Sequence, residues 1–287
     1  MSKLDPRAVE NMVRAALDED GVDSDATIAG LGIGEALVAG TIVAREEVVV
    51  AGMELAATAF RLIDADAAIR VHADDGERVS AGGELLVVEG TARSVIGAER
   101  VALNFLQRLC GIATLASQFV ERVAGTGVTI LDTRKTTPLW RDMEKYAVRC
   151  GGAQNHRRDL ESMVLIKENH IHALGGESAL VSRLEQEGAG RSFVEVEVDS
   201  LPFLSRLLGA PINRVMLDNF KPAELRAAID MIAEYGDRHP HFSLETEVSG
   251  GITLETVRDF ALPGVDFISV GALTHSARSV DLSLEVR

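Results

Sequence analysis

The 287-residue chain has few cysteines, few lysines, few aromatic side chains and no long apolar run. Two cysteines, Cys110 and Cys150, are too few for a disulfide framework, so the sequence favours a reducing compartment. No segment approaches the roughly 18 apolar residues that a membrane helix needs. Residues 1–10 lack the apolar core of a secretory signal. We therefore expect a cytoplasmic protein with no membrane partner.

Positive charge is also scarce, because 44 acidic residues face 29 basic ones and the formal net charge is −15. This balance argues against nucleic acid as a partner, since phosphate backbones select basic surfaces. Only five of the basic residues are lysines, and Lys135, Lys145 and Lys167 fall close together. Residues 132–170 carry a local charge of +2 while the rest of the chain carries −17. A cationic segment in an acidic protein indicates a site for an anionic small molecule.

The N-terminal part of the chain combines one helix with short strands. Residues 5–20 have apolar side chains at helical spacing, which predicts an amphipathic helix. Alternating segments punctuated by glycine between about residues 35 and 92 predict strands at 36–41, 47–51, 68–73 and 84–89. The turns over 75–86 resemble those of lipoyl and biotinyl barrel-sandwich modules. No lysine lies between Lys3 and Lys135, so neither group could be attached there.

A helical stretch over residues 93–124, with a break expected at Gly111, precedes a change of pattern. Apolar runs then alternate with helical segments, which predicts parallel strands joined by right-handed crossovers. A doubly wound sheet would fit the number of runs. An α/β barrel is favoured because each run is followed by polar groups, as at the active-site end of such barrels. The runs are 128–131, 163–166, 193–198, 214–217, 242–247 and 265–270.

Three cationic positions follow these strands or lie between them. Arg134 and Lys135 are adjacent, so either solvent screens them or an anion lies between them. A glycine-containing loop carries His156 and Arg157, and its backbone could wrap an anion or could be an ordinary surface loop. Lys167 follows an apolar strand and is expected to point inward, where desolvation demands an anionic partner.

Acidic and glycine-rich strand ends complete the pattern. Glu195 and Glu197 alternate along one strand and share a face, and Asp218 ends the next strand. Their oxygens suit Mg²⁺ or ribose hydroxyls, or they could pair structurally with nearby cations. The loops at 249–251 and 269–272 are candidates for a phosphate cradle of backbone amides. The histidines and cysteines show no zinc spacing.

Several ordered motifs resemble the quinolinate phosphoribosyltransferase family of type II phosphoribosyltransferases. The likeness spans nearly the whole chain and is most specific over residues 131–167. It implies an α/β fold with an N-terminal α+β sandwich-like (barrel-sandwich hybrid) domain at 1–112 and an incomplete α/β barrel at 113–276. The tail, 277–287, would pack back on the first domain. The motifs are ALNFLQRL (102–109), LDTRKTTP (131–138), EKYAVRCGG (144–152), NHR (155–157), LIK (165–167), EVEV (195–198), MLDN (216–219), SGGI (249–252) and ISVGALTHS (268–276).

The resemblance implies transfer of phosphoribose from phosphoribosyl pyrophosphate (PRPP) to quinolinate. Pyrophosphate and CO₂ would leave, and nicotinate mononucleotide would form for NAD biosynthesis. By motif position, Arg134, His156 and Arg157 would hold the two quinolinate carboxylates. Arg108 would be donated by the partner chain of a homodimer or of a larger dimer-based assembly.

The same resemblance implies the catalytic groups. Lys135 and Lys167 would meet the charges of PRPP or the carboxylate lost as CO₂. Glu197 and Asp218 would bind either Mg²⁺, directly or indirectly, or the ribose hydroxyls. The remaining substrate-binding positions would be Thr133, Ser249, Gly250, Gly251, Ser269, Gly271 and His275.

Two other readings stay open from the sequence. One is a paralogous transferase on this scaffold that uses another aromatic acid. The other is a binding protein with a degenerate barrel. The sequence departs from the family pattern at Leu139, Ala153, Asp159 and Ser162, none of which is among the proposed ligands.

Overall fold

The structure, a computed structural model, describes residues 4–187 and 193–287. The expected first domain begins with residues 1–3, including Lys3, and these lie outside the described residues. In chain order the helices are α1 (Pro6–Asp20), α2 (Ala26–Leu31), α3 (Met53–Ile63), α4 (Ala92–Gly97), α5 (Glu99–Arg122), α6 (Arg141–Cys150), α7 (Glu168–Leu174), α8 (Glu177–Glu187), α9 (Leu201–Leu207), α10 (Pro222–Arg238), α11 (Val257–Phe260) and α12 (Ala272–His275).

The strands alternate with these helices, and a short 3-10 helix covers Val22–Ser24. The strands are β1 (Leu37–Ala44), β2 (Val48–Val49), β3 (Ala68–Val71), β4 (Arg78–Val79), β5 (Glu84–Thr91), β6 (Thr129–Leu131), β7 (Val164–Ile166), β8 (Val194–Val198), β9 (Arg214–Asp218), β10 (Glu245–Ser249), β11 (Phe267–Ser269) and β12 (Leu282–Val286).

The chain divides into two compact units, each described by itself. The first unit comprises residues 4–117, 136–153 and 273–287, and the second comprises 118–135 and 154–272. The sequence placed the domain boundary at residue 112 and expected the tail, 277–287, to pack back on the first domain. Residues 136–153 also group with the first unit, where the Trp140 ring stacks on the Phe105 ring of α5 with their centroids 5.2 Å apart.

The first unit is an α+β domain built on an antiparallel sheet. The strand order is β12-β1-β5-β3, and β2 and β4 form a separate pair. Because β12 pairs with β1, the C-terminal strand lies at the edge of this sheet. The expected first helix is confirmed as α1, which begins where Asp5 accepts a hydrogen bond from the Arg7 N–H and ends at Gly21 in the left-handed region.

Two details of the first unit differ from the sequence-based expectation. The region expected to be all strands contains α3, which buries apolar side chains along most of its length, such as Leu55 and Phe60. The break expected at Gly111 is absent, and α5 runs through it. The interruption lies instead at Ala98, between α4 and α5. Gly111 serves close packing, because a Cβ there would lie 2.0 Å from the Arg278 carbonyl oxygen.

The second unit confirms the six expected parallel strands. Their order is β6-β11-β10-β9-β8-β7 and every adjacent pair is parallel. The first strand therefore pairs with the last, while the others follow the order of the chain, as in an α/β barrel left open between β6 and β7. Helices in the crossovers cover the apolar outer face, to which Val196 and Val215 contribute. Within the described residues no helix has both the length and the apolar content that a membrane crossing requires.

We expect Gly111→Ala to lower the free energy of unfolding by about 1–3 kcal/mol, because the new methyl group would collide with backbone rather than with a flexible side chain. Gly30→Ala in α2 is the matched control, since a Cβ there meets nothing within 4 Å and should stabilise the helix by up to about 1 kcal/mol. Urea unfolding measures both effects. A Gly111→Ala protein as stable as the Gly30→Ala protein would contradict this explanation.

Candidate active site

The carboxyl ends of the parallel strands place five of the predicted residues along one edge of the second unit. Lys167 follows β7, Glu197 lies near the end of β8, and Asp218 ends β9. Ser249 ends β10 in direct register with Asp218, and Ser269 ends β11. These residues are spread over positions 167–269 of the chain, and the sheet brings them together.

Two arginines form the cationic side of this edge. Burial lowers the pKa of Arg157, and the positive charge of Arg134 lowers it further, so the two side chains are within electrostatic reach of each other. Arg157 Nη1 donates to the Met163 carbonyl oxygen at 3.2 Å. Two positive charges repel each other, and partial burial deprives them of water. A bound anion offsets both the repulsion and the lost hydration, so this arrangement favours anion binding.

A lysine and two carboxylates lie beside this pair. Lys167 Nζ bonds Glu197 Oε2, and its side chain is 45% exposed. Burial raises the pKa of Asp218, the Glu197 charge raises it further, and the charges of Lys167 and Lys135 lower it. Four of the predicted catalytic residues are therefore within electrostatic reach of one another.

The loop after β10 contains Gly250 and Gly251, and a side chain at Gly250 would collide with Asn219. Gly250 has φ +102°, and a Cβ there would lie 2.3 Å from Asn219 Oδ1. Gly251 has φ +60° and open space where its Cβ would be. Asn219 itself has φ +59°, and its side-chain amide donates to Asp218 Oδ2 at 2.7 Å. The loop thus keeps exposed backbone next to Asp218, as a phosphate cradle requires.

His156 lies beneath the cationic edge in a buried network. Its backbone N–H donates to Asp132 Oδ1 at 2.8 Å. Its Nε2 lies 3.1 Å from Glu195 Oε2 and 3.5 Å from Glu247 Oε2. Its Nδ1 accepts the backbone N–H of Arg157 at 2.7 Å, so the ring proton belongs on Nε2. Both ring nitrogens are therefore bonded within the chain, and the expected contact with a substrate carboxylate would require one of them to change partner.

Glu195 does not lie with Glu197 and Asp218, although the sequence grouped the three as oxygen ligands. Glu195 and Glu197 do share a face, but the Glu195 side chain is fully buried deeper in the sheet and bonds His156. Glu247 is equally buried, and burial raises the pKa of both carboxyl groups. Sequence alternation predicted the face correctly, but it carries no information on depth.

The structure offers two sets of groups that could bind a metal ion. Glu197 and Asp218 supply carboxylate oxygens at neighbouring strand ends, close enough for the charge of Glu197 to raise the pKa of Asp218. Two such carboxylates suit Mg²⁺. His156, Glu195 and Glu247 have ligand atoms within 4.8 Å of one another. A protein cation already contacts each set, because Lys167 bonds Glu197 and a guanidinium nitrogen of Arg214 lies 3.0 Å from Glu247. The first set fits Mg²⁺ better because both of its ligands are carboxylates at strand ends, whereas the second set is buried and includes an imidazole nitrogen.

Arg108 and His275 belong to the first unit. Arg108 Nη1 donates to the Ala277 carbonyl oxygen at 2.6 Å, and Nη2 bonds the Thr274 carbonyl oxygen and Glu144 Oε1, the latter at 2.8 Å. Glu144 is fully buried and also accepts hydrogen bonds from Thr137. These contacts give Arg108 a structural role within its own unit. His275 Nδ1 bonds the neighbouring Ser276 hydroxyl.

Sequence reasoning missed Arg214 and did not include Asp132, Glu195 or Glu247 among the site residues. Arg214 is inconspicuous because it simply precedes an apolar run. The signal that could have found it is register, since Arg214 stands directly opposite Glu195 on one side and Glu245 on the other. Register is not readable from one sequence.

Comparison with known proteins supports one family over the whole length. The model of the quinolinate phosphoribosyl transferase C-terminal domain matches residues 112–285, and that of the N-terminal domain matches residues 25–110. The nicotinate-nucleotide pyrophosphorylase (carboxylating) of Mycobacterium leprae is 38% identical over 287 residues, covering 97% of each chain. A probable nicotinate-nucleotide pyrophosphorylase (carboxylating) of Bacillus subtilis is 37% identical over 253 residues, 88% of this chain and 85% of the relative. The crystal structure of NadC from Streptococcus pyogenes has a TM-score of 0.90 at 35% identity, covering 100% of this chain and 99% of that one.

We expect Arg108→Ala to lower the free energy of unfolding by about 2–4 kcal/mol, because it leaves the buried Glu144 carboxylate without its cation. Arg45→Ala is the matched control in the same unit, since Arg45 pairs with Glu285 at the surface and should matter by less than about 1 kcal/mol. Chemical denaturation measures both. Equal stabilities of the two variants would refute the structural role of Arg108.

The two buried carboxyl groups also predict a pH dependence. Burial raises the pKa of Glu247 from 4.5 to about 7. A carboxyl group with a raised folded-state pKa contributes stability that is present below about pH 4.5 and is lost as the pH rises through about 7. Wild type should therefore lose stability relative to Glu247→Gln over this range, and the difference should level off above it. Thermal unfolding across the range measures the difference, and a pH-independent value would contradict the assignment.

Proposed function

The chain belongs to the quinolinate phosphoribosyl transferase family, and we propose that it joins quinolinate to PRPP. Pyrophosphate and CO₂ leave, and nicotinate mononucleotide forms as a precursor of NAD. The observation that carries this proposal is the single edge at which Arg134, Arg157, Lys167, Glu197 and Asp218 meet. An acidic protein that gathers cations at one sheet edge has a place for a dicarboxylate and a polyphosphate.

Quinolinate binds at the arginine side of the edge. Its two carboxylates require two separate cationic contacts, and Arg134 and Arg157 provide them as neighbouring guanidinium groups. His156 supports this pair from below through the N–H of Arg157. Lys167 stands at the border with the carboxylate side, where it can meet the carboxylate that is lost as CO₂.

PRPP binds at the carboxylate and glycine side. The backbone at Ser249, Gly250 and Gly251 receives the 5′-phosphate, together with Ser269, Gly271 and His275 by motif position. Glu197 and Asp218 bind the ribose hydroxyls or Mg²⁺. Lys135, an exposed lysine whose charge acts on Asp218, meets the pyrophosphate. Mg²⁺ supplies charge neutralisation of the leaving pyrophosphate when it is bound.

The chain's residues favour a dissociative transfer. As the C1–O bond of PRPP breaks, positive charge develops on the ribose ring and negative charge on pyrophosphate. Glu197 and Asp218 stabilise the ribosyl cation, and Lys135 stabilises the leaving group. Arg134 and Arg157 hold quinolinate so that its ring nitrogen faces C1 and attacks it.

We also propose that the chain acts as a homodimer, as its family resemblance suggests. The role proposed for Arg108 is donation to the partner's site, and its contacts within its own unit do not test that role. Mixed dimers of Arg108→Ala chains with Lys167→Ala chains test this role, because each chain alone lacks a group that the proposed site needs. Activity above that of either parent homodimer would demonstrate donation of Arg108 to the partner, since only donation gives one intact site, and no recovery would leave Arg108 structural. A cytoplasmic location stays a prediction.

The test of function is an assay of purified protein with quinolinate and PRPP, following both CO₂ and nicotinate mononucleotide. Equal amounts of the two products are expected, and chelation by EDTA should abolish the reaction until Mg²⁺ is restored. Product from nicotinate without CO₂ would instead indicate a paralogous transferase. No turnover with either acid would contradict the proposal.

Lys135→Ala and Lys167→Ala should each lower kcat/KM by at least ~10²-fold, or roughly 2.7 kcal/mol of transition-state stabilisation. Each lysine faces charge that changes during the reaction, so its loss should exceed the cost of a surface contact. Lys221→Ala is the matched control, because Lys221 is an exposed lysine of the same unit at the start of α10. Steady-state kinetics measure all three. If Lys135→Ala or Lys167→Ala has the same kcat/KM as Lys221→Ala, the role assigned to that lysine is wrong.

A further inference from the structure

One charged side chain in the interior of the parallel sheet has no part in the function described so far. Arg214 begins β9, and only 12% of its side chain is exposed. Its Nε and Nη2 donate to Glu245 Oε2 at 2.9 and 2.7 Å. Its Nη1 donates to Glu247 Oε2 at 3.0 Å. The guanidinium group thus bridges two carboxylates of the adjacent strand.

Two aromatic rings hold the guanidinium group of Arg214 in place. Its Cζ lies 4.0 Å from the centroid of the Phe267 ring and 5.2 Å from that of the Phe193 ring. Cation–π contact with desolvated rings stabilises an arginine in a defined orientation. Arg214 is therefore built into the sheet interior, and it is not a surface side chain that happens to find partners.

The carboxylate bonded by Arg214 connects it to the substrate edge. Glu247 Oε2, the same oxygen that Arg214 bonds, lies 3.5 Å from His156 Nε2. Glu195 Oε2 is nearer to that nitrogen, at 3.1 Å. On its other side the imidazole accepts the backbone N–H of Arg157 at 2.7 Å. A continuous chain of polar contacts thus runs from Arg214 to the backbone of a proposed quinolinate ligand.

We propose that Arg214 is a positioning residue for quinolinate, acting through Glu247 and His156 on Arg157. With Arg214 present, Glu247 Oε2 accepts a hydrogen bond from the guanidinium group, and Glu195 is the nearer partner of His156 Nε2. Without Arg214, the buried Glu247 carboxylate would keep only neutral donors, the His156 ring and the Ser269 hydroxyl. The imidazole would turn toward it, and the Arg157 N–H that depends on Nδ1 would shift.

This inference rests on the proposed function for its kinetic consequence. Arg214→Met keeps an unbranched apolar stem of similar length between the two phenylalanine rings. We expect it to raise KM for quinolinate about 10-fold while KM for PRPP and kcat stay within about 3-fold. The ribose and phosphate side of the edge contains none of the displaced groups, which is why the two KM values should separate.

Two further variants separate positioning from general damage. Glu245→Gln is the matched control, because Glu245 shares the same guanidinium group but has no contact with His156, and it should leave both KM values unchanged. The double variant Arg214→Met, Glu247→Gln removes both the guanidinium group and the Glu247 carboxylate that would otherwise lose its cation. It should restore KM for quinolinate to within about 3-fold of wild type. Arg214→Lys provides a folded variant if the methionine protein fails to fold, with an intermediate KM for quinolinate.

Three results would overturn the proposal. They are an unchanged KM for quinolinate in Arg214→Met, parallel changes in both KM values and kcat, and a double variant no better than the single one. The second would show that Arg214 matters only for stability, which thermal unfolding of the same samples would report as a lowered Tm.

A readout without turnover separates this inference from the proposed function. In protein labelled with ¹⁵N-histidine, the His156 resonances, assigned through His156→Gln, report which ring nitrogen carries the proton and how it is bonded. They should shift in Arg214→Met and stay in place in Glu245→Gln. If wild type fails to use quinolinate but this shift appears, the proposed function is wrong, whereas the polar contacts from Arg214 through Glu247 to His156 are confirmed. Unshifted resonances in Arg214→Met refute the contact chain whatever the activity.

Discussion

Carboxylates on the interior face of the parallel sheet have to be compensated without water, and the arrangement of the second unit follows from this requirement. Glu195 and Glu247 are both fully buried. An unpaired buried carboxylate costs several kcal/mol, so each needs donors inside the sheet. His156 and Arg214 provide them, and each donor is itself held by further contacts. Substitution of any of the four groups would remove a partner from at least one of the others.

This buried layer also gives the reactive edge a rigid base. Partly exposed groups, such as Lys167 and Glu197, lie at the strand ends, while the buried network lies deeper in the same strands. Catalysis by fixed charges depends on donors that do not need to reorganise during the reaction. A strand-borne network fixed by aromatic packing around Arg214 meets this condition better than a solvent-exposed loop would.

Much of the fold could be predicted because its signals are local. The helix at Pro6–Asp20 follows from apolar spacing and an Asp5 cap, and the parallel strands follow from apolar runs ending in polar residues. Where a signal was ambiguous, prediction failed. The glycine at 111 was taken as a helix break, whereas it makes room for the backbone of Arg278. Helix α3 was missed because its polar face is narrow, with only Glu54, Thr58 and Arg61 between apolar residues.

The sequence by itself determined which chemical groups stand at the strand ends, because alternation and apolar runs locate strand ends from local information. It also determined the family, through motifs that stay contiguous in the chain. Only the tertiary structure decided that Glu195 lies deep beside His156, that Arg214 bridges Glu245 and Glu247, and that Arg108 is committed to Glu144. These pairings depend on strand register and on which helix packs against which. Both are set by contacts between distant segments, which no local pattern encodes.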